Sequence, residues 1–201
     1  MPKVSDAHRE MRRAQILDAA WRCFQREGVQ ATRMEHIIAE SGLAASAMYR
    51  YFRNKEDIIL AAIETSLHGL SILLEPLVEE ADDGGPGAFF VRVAEEIRRF
   101  SQRSGFNLMS IAVHGWSEAQ RSPAVKALLS RYYTAFAERL VAKAKRWQAA
   151  GTADASADPR DIAQAVHGLV LGHVVQCVVI GPETDARRAA RGLSALSTAR
   201  A

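Results

Sequence analysis

Residues 32–55 read TRMEHIIAESGLAASAMYRYFRNK. Met34, Ile37 and Ile38 recur at helical spacing and form the buried face of one short helix. Leu43 opens a further segment that runs through Phe52 and closes in the aromatic cluster Tyr49-Arg50-Tyr51-Phe52. Gly42 lies between the two, the residue type that lets a chain turn sharply without steric penalty. Two helices joined by so short a turn form the unit that sets a helix into the DNA major groove.

On the N-terminal side, Ile16, Leu17, Ala20, Trp21 and Phe24 predict a helix over Arg12–Glu27, stopped by Gly28. Thr32 and Glu35 fit a capping box at the start of the second helix. On the C-terminal side, Asn54 is placed to cap a fourth helix from Lys55 to about Glu80, with Glu56 and Asp57 favoured in its first turn by the helix dipole.

Beyond a loop at residues 82–87, helices are expected at Ala88–Arg103, broken by Ser104-Gly105, and at Phe106–Glu118. A long helix over Ser122–Ala150 carries Pro123 in its first turn. A loop at residues 151–158 leads to a helix from Pro159 to Gly181-Pro182, and a basic helix over Thr184–Thr198 ends the pattern. The fold class is all-α, about nine helices, with a helix-turn-helix domain at residues 1–54 and a helical domain at 55–201. The apolar run Ile162–Ile180 is interrupted by Gln164, His167, His173 and Gln176, so a buried or interface helix is expected there and not a membrane span. Trp147, set among Lys143, Lys145 and Arg146, is expected on a partly exposed face.

Composition agrees with one large or two small folded units: 201 residues, 48% apolar and 24% charged. The net charge of +3 is uneven, since residues 1–55 hold ten Lys/Arg against six Asp/Glu. A basic head suits a nucleic-acid contact confined to one end. Cys23 and Cys177 lack metal or disulfide-framework spacing, and the first residues lack an apolar signal core. A cytoplasmic location follows as the expectation.

The stretch resembles the TetR family of bacterial transcriptional regulators. Ile16-Leu-Asp-Ala-Ala20, Phe24, Gly28, Ala31-Thr32, Ile37, Ser41-Gly42-Leu43, Tyr49-Arg-Tyr-Phe52 and Lys55 carry the resemblance, in spacing as well as type. It implies a homodimer that binds a palindromic double-stranded DNA operator and is released from it by a small, largely apolar effector. Tyr49 looks like the family's phosphate-binding tyrosine, and Lys55 is similarly placed to meet the DNA backbone. Thr32 and Arg33, at the start of the second helix, are candidates for a further phosphate or base contact. Phe52 reads as core.

Base reading is expected from the third helix, at Ala44, Ala45, Ser46, Ala47 and Arg50. Here the chain departs from the family pattern, because Ala44 stands where a capping Ser or Thr is common and Ala47 replaces a frequent hydroxyl residue. Alanine can meet a thymine methyl but cannot hydrogen-bond a base, which leaves Arg50, and then Arg33, for guanine recognition.

For the C-terminal part, the resemblance implies a ligand cavity among helices four to eight and a dimer contact through the last two. Met109, Val113, His114, Trp116, Phe136, His167 and Leu171 are candidate lining residues, an apolar set with a few polar groups. Gly168, Gly172, Val175 and Val179 share a helix face that fits a dimer contact, with core packing inside the subunit as the rival reading. His114, His167 and His173 lack metal-ligand spacing, so no metal or other cofactor is expected. No hydrolase, phosphate-loop or zinc-protease motif is present, so an enzyme or carrier on a helical bundle is the weaker alternative, beside a DNA-binding architectural protein without ligand.

Overall fold

The structure, a computed structural model, describes residues 6–80, 84–103, 108–181 and 184–197. Among these it is all-helical: α1 Asp6–Glu27, α2 Met34–Ser41, α3 Ala45–Met48, α4 Lys55–Glu79, α5 Gly85–Arg103, α6 Leu108–Ala119, α7 Pro123–Ala149, α8 Pro159–Val179 and α9 Ala186–Ser197. The break expected at Ser104-Gly105 and the end expected at Pro182 lie outside the described residues. Contacts divide the chain into two compact units, Met1–Ser66 and Leu67–Ala201, with the boundary inside α4.

Three boundaries differ most from the sequence pattern. α1 is already helical at Asp6, ahead of the expected Arg12, through residues whose side chains are exposed and which no apolar period marks. α3 stops at Met48, and the chain reaches Phe52 through turns in which Tyr51 N donates to Met48 O at 2.9 Å and Arg50 N to Ala47 O at 3.2 Å. α5 starts at Gly85, where Pro86 fits the first turn.

In the first unit, Ile16, Ala20, Phe24, Ile37, Met48, Phe52, Ile58 and Ala62 form a core with almost no exposure. Trp21 meets Phe24 edge to face with ring centroids 5.6 Å apart. Across the α1–α2 surface, Glu40 pairs with Arg22 at 2.7 Å and Arg26 at 3.1 Å, and Glu27 meets Arg26 and His36. Those hydrogen bonds hold both carboxyls below the usual glutamate range.

The second unit packs α7 against α8 and α6, and α9 against α5. Its core includes Val78, Phe89, Phe90, Val93, Leu140, Ala144, Trp147 and Val166. Trp147 is therefore buried and not on a partly exposed face, and Lys143 beside it is 0% exposed. A buried ammonium is tolerated only when its donors are satisfied. Lys143 Nζ donates to the carbonyls of Leu77 at 2.9 Å and Glu80 at 2.6 Å, and Arg146 donates to that of Val78. Leu77 and Val78 lie in the last turn of α4 and Glu80 follows it, so two cations of α7 cap the C-terminal end of that helix.

Ser122 and Asp158 cap α7 and α8 through bonds from Val125 N at 3.3 Å and Arg160 N at 2.8 Å. α8 is long and apolar enough to cross a bilayer, as is α4. It buries Ala163, Val166, His167, Val170, His173 and Val174 inside the unit.

Candidate nucleic-acid interface and ligand cavity

The turn between α2 and α3 is held from three sides. Gly42 takes a left-handed φ of 67°, a conformation costly for any residue with a Cβ. Ser41 Oγ donates to Ile38 O at 2.9 Å and accepts from Leu43 N at 3.2 Å. Gln15 of α1 donates its amide N–H to Ser41 O at 2.8 Å, tying the turn to α1.

Ala44 is the N-cap of α3, with extended backbone and no side-chain cap, as its residue type dictates. Asn54 caps α4 by accepting from Asp57 N at 2.8 Å, and the Asp57 carboxylate accepts from Arg53 N at 3.2 Å. The expected capping box at α2 does not form. Arg33 is the N-cap there without a side-chain bond, and Thr32 is fully buried with its hydroxyl donating to Gly28 O at 2.8 Å. The hydroxyl satisfies the carbonyl of the preceding turn and is not presented at the surface.

Lys55 is likewise engaged. Its ammonium donates to three carbonyls of the α1–α2 loop, those of Val29 at 3.1 Å, Gln30 at 3.2 Å and Thr32 at 2.9 Å. By contrast Arg33, Ala44, Ala45, Ser46, Tyr49 and Arg50 are exposed, and Ala47 is half-buried. Tyr49 is half exposed despite its aromatic ring. Among the described residues Arg33 and Arg50 have no carboxylate partner. Glu27 and Glu40 are neutralised on the α1–α2 surface. Phe52 is core, with the Arg13 guanidinium 4.8 Å from its ring centroid.

In the second unit a cavity of about 240 Å³ lies among α4, α6, α7 and α8. Four of the expected residues meet there: Trp116, Phe136, His167 and Leu171. Val113 and His114 do not line it, because Ala112 and Trp116 take the cavity-facing stripe of α6 one turn apart. Met109, two turns before Trp116, is buried and faces a separate cleft with His173 and Cys177. Leu70 and Val78 of α4 and Tyr133 and Arg131 of α7 also form the wall, and sequence reading missed them. The available signal was Tyr133, one turn before Phe136 on the same face.

Trp116 Nε1 donates to Tyr133 Oη at 2.6 Å. The His167 ring stands edge-on to Tyr133 and Phe136, with centroids 5.6 and 5.5 Å away. Burial pushes the Tyr133 phenol up, against the opposing effect of the Trp116 bond, and pushes His167 down. At neutral pH the cavity therefore holds a protonated phenol and a neutral imidazole. Among the described residues no carboxylate lines it, and no group of three His, Cys, Asp or Glu side chains could hold a metal ion.

On α8, Gly168, Gly172, Val175 and Val179 are all exposed on one face, so they do not pack inside the unit. A Cβ built at either glycine meets nothing within 4 Å.

Comparison with known proteins agrees with this architecture. Residues 16–62 match the model of bacterial regulatory proteins of the tetR family, and residues 98–198 match that of the BetI-type transcriptional repressor C-terminal region. YfiR of Bacillus subtilis, an uncharacterized helix-turn-helix transcriptional regulator, is 28% identical over 139 residues, which are 69% of this chain and 66% of YfiR. For two other curated relatives, repressors of Mycobacterium tuberculosis and Corynebacterium diphtheriae, the match spans about a third of their length. SmeT in its triclosan complex superposes with a TM-score of 0.74 at 22% identity, over 93% of this chain and 91% of SmeT. A transcriptional regulator from Saccharomonospora viridis in complex with choline gives a TM-score of 0.72 at 19% identity, over 94% and 96% of the two chains. At those identities the structures show a shared fold alone. The family models match the helix-turn-helix and half of the chain beyond it, and the chain belongs to the TetR family of bacterial transcriptional regulators.

Proposed function

We propose that this protein is a homodimeric transcriptional repressor, released from a palindromic operator by a small, largely apolar effector. The N-terminal part reads DNA, and the part from α4 onward binds the effector and forms the dimer. The observation that carries the reading is the surface at the ends of α2 and α3, where Arg33, Tyr49 and Arg50 are exposed and, among the described residues, no acid pairs with the two arginines. Guanidinium groups so presented suit base edges and phosphates, and a phenol suits a phosphate oxygen.

The cavity supports the effector role. Its wall is largely aliphatic and aromatic, and its size falls just below the ~300–1,000 Å³ usual for drug-sized ligands, so the effector is compact. Relatives of the same fold bind triclosan and choline, which supports a small molecule without fixing its class. A ligand regulates only by binding one conformation better than another. α4 is the natural lever, since it carries Lys55 in its first turn and Leu70 and Val78 in the cavity wall. Binding alone accounts for both surfaces, so no catalytic step is assigned, and such a regulator works in the cytoplasm beside the DNA it reads.

Fluorescence anisotropy with labelled DNA from upstream of the protein's own gene tests the reading. Saturable binding of two chains per site, tighter than to random DNA of equal length, is expected. Equal affinity for both DNAs at every salt concentration would overturn it.

A further inference from the structure

We infer that the cavity selects an uncharged aromatic or alicyclic molecule bearing one hydroxyl group, which is held between the Tyr133 phenol and the His167 imidazole. The inference deepens the proposed effector site and rests on that reading for its regulatory meaning.

The geometry supplies a matched pair of polar groups in an apolar wall. Tyr133 Oη accepts from Trp116 Nε1 at 2.6 Å, which orients the phenol, and its own hydrogen has no acceptor among the described residues. His167 makes no hydrogen bond among the described residues, and its ring plane is set by the edge-on contacts with Tyr133 and Phe136. His173 has a ring nitrogen sealed off without a partner, whereas His167 has none so sealed. A neutral imidazole offers one N–H and one lone pair. A ligand hydroxyl accepts from Tyr133 and donates to the imidazole lone pair, using both groups at once. A hydrocarbon of the same shape leaves both unsatisfied, and a site built around polar groups rejects such an analogue.

Charge argues against the other classes. Among the described residues a cation meets no carboxylate on the wall, while Arg131 and Arg139 both border the cavity. An anion meets Arg139 already paired with Glu75 at 3.3 Å and Glu79 at 3.1 Å, and Arg131 stacked over the Tyr132 ring at 5.3 Å. Burying a charge in an otherwise apolar wall is costly without a dedicated partner.

The test is calorimetric titration of the full chain with thymol, with p-cymene (the same skeleton without the hydroxyl), with 4-isopropylbenzoate and with choline. Thymol is expected to bind roughly tenfold more tightly than p-cymene, the worth of a satisfied buried hydrogen-bonding pair. Tyr133→Phe and His167→Phe should each remove most of that preference and leave p-cymene affinity within about twofold, since each leaves an aromatic ring in place. His167→Gln, which keeps a donor and an acceptor, should retain part of it. The inference is overturned if thymol does not bind, if it binds no better than p-cymene, if choline or 4-isopropylbenzoate binds more tightly, or if the variants weaken both probes equally. DNA binding of the same samples separates the two readings. Operator binding without the thymol preference overturns this inference alone, and the preference without operator binding supports the site while overturning the regulator.

Discussion

The Lys55 ammonium lies 2.9 Å from the Thr32 carbonyl and, with bonds to Val29 O and Gln30 O, fastens the first turn of α4 to the loop that leads into α2. A lysine at this point reads from sequence as a phosphate ligand, yet the three donors of its ammonium are used inside the unit. Lys55→Met keeps the aliphatic stem and removes the three charge-assisted bonds. It should destabilise the unit by about 2 kcal/mol and weaken binding to all DNA sequences through a loosened α2. In a salt titration its log–log slope should match that of the unaltered protein. A slope smaller by about one unit would place the ammonium on a phosphate instead.

Arg50 and Arg33 carry the side chains free to reach base edges, because the rest of the exposed α3 surface is Ala44, Ala45 and Ser46. Arg50→Ala should cost about 1–3 kcal/mol on the best operator and relax preference at one position of each half-site. Arg33→Ala should act at a different position. A panel of single-base operator variants measures both, and uniform weakening across the panel would make the arginine a phosphate contact.

Ala44 leaves the start of α3 without a side-chain acceptor, at φ −64° and ψ 145°, a backbone that already suits a cap. Ala44→Ser should therefore stabilise the unit by about 0.5–2 kcal/mol. Amide exchange at Ser46 and Ala47, the donors such a cap would engage, should slow. Unchanged exchange at both would show that the new hydroxyl turns to solvent.

What the sequence made legible follows from the range of each interaction. The helices of the first unit, the Gly42 turn, the Asn54 cap and the missing cap at Ala44 are local, and residue type with spacing decides them. The direction of the Thr32 hydroxyl was not legible, since a capping box and a bond back to Gly28 O need the same residue. Lys143 and Trp147 misled for a different reason. Their neighbouring charges suggest solvent, but the carbonyls that take up Lys143 belong to Leu77 and Glu80, far away in the chain. The cavity was half legible, because Trp116, Phe136, His167 and Leu171 point by type to a pocket, whereas Tyr133 becomes distinctive only once Trp116 donates to it.

Burial holds His114, His167 and His173 below the ordinary 6.5, with Asp185 opposing the shift only at His173. In the unfolded chain each protonates near 6.5, and in the folded protein only at lower pH. Stability from these groups is thus complete above that value and is lost as pH falls from it toward the folded values. The lowered carboxyls of Glu27 and Glu40 titrate from 4.5 downward and leave this window alone. Melting curves should show a lower transition temperature at about pH 5.5 than at about 7.5. His167→Phe should make that difference smaller, and an undiminished difference would assign it to the other histidines.

Gly168, Gly172, Val175 and Val179 form an exposed stripe on α8, with the two valines 41% and 75% exposed. Exposed apolar residues aligned with glycines on one helix face suit close approach of the same helix from a second copy, the self-complementary contact of a two-fold dimer. Gly172→Leu separates this from a role inside the chain. A Cβ there meets nothing within 4 Å, and leucine favours the helix by ~1 kcal/mol over glycine. The subunit should therefore fold no less stably, while the bulk of leucine keeps two helices apart. Sedimentation velocity should show the dimer replaced by monomer, with a matching loss of affinity for a palindromic site and little change for an isolated half-site. A less stable monomer would mean that the position packs within the chain, and a persisting dimer would move the interface off this face of α8.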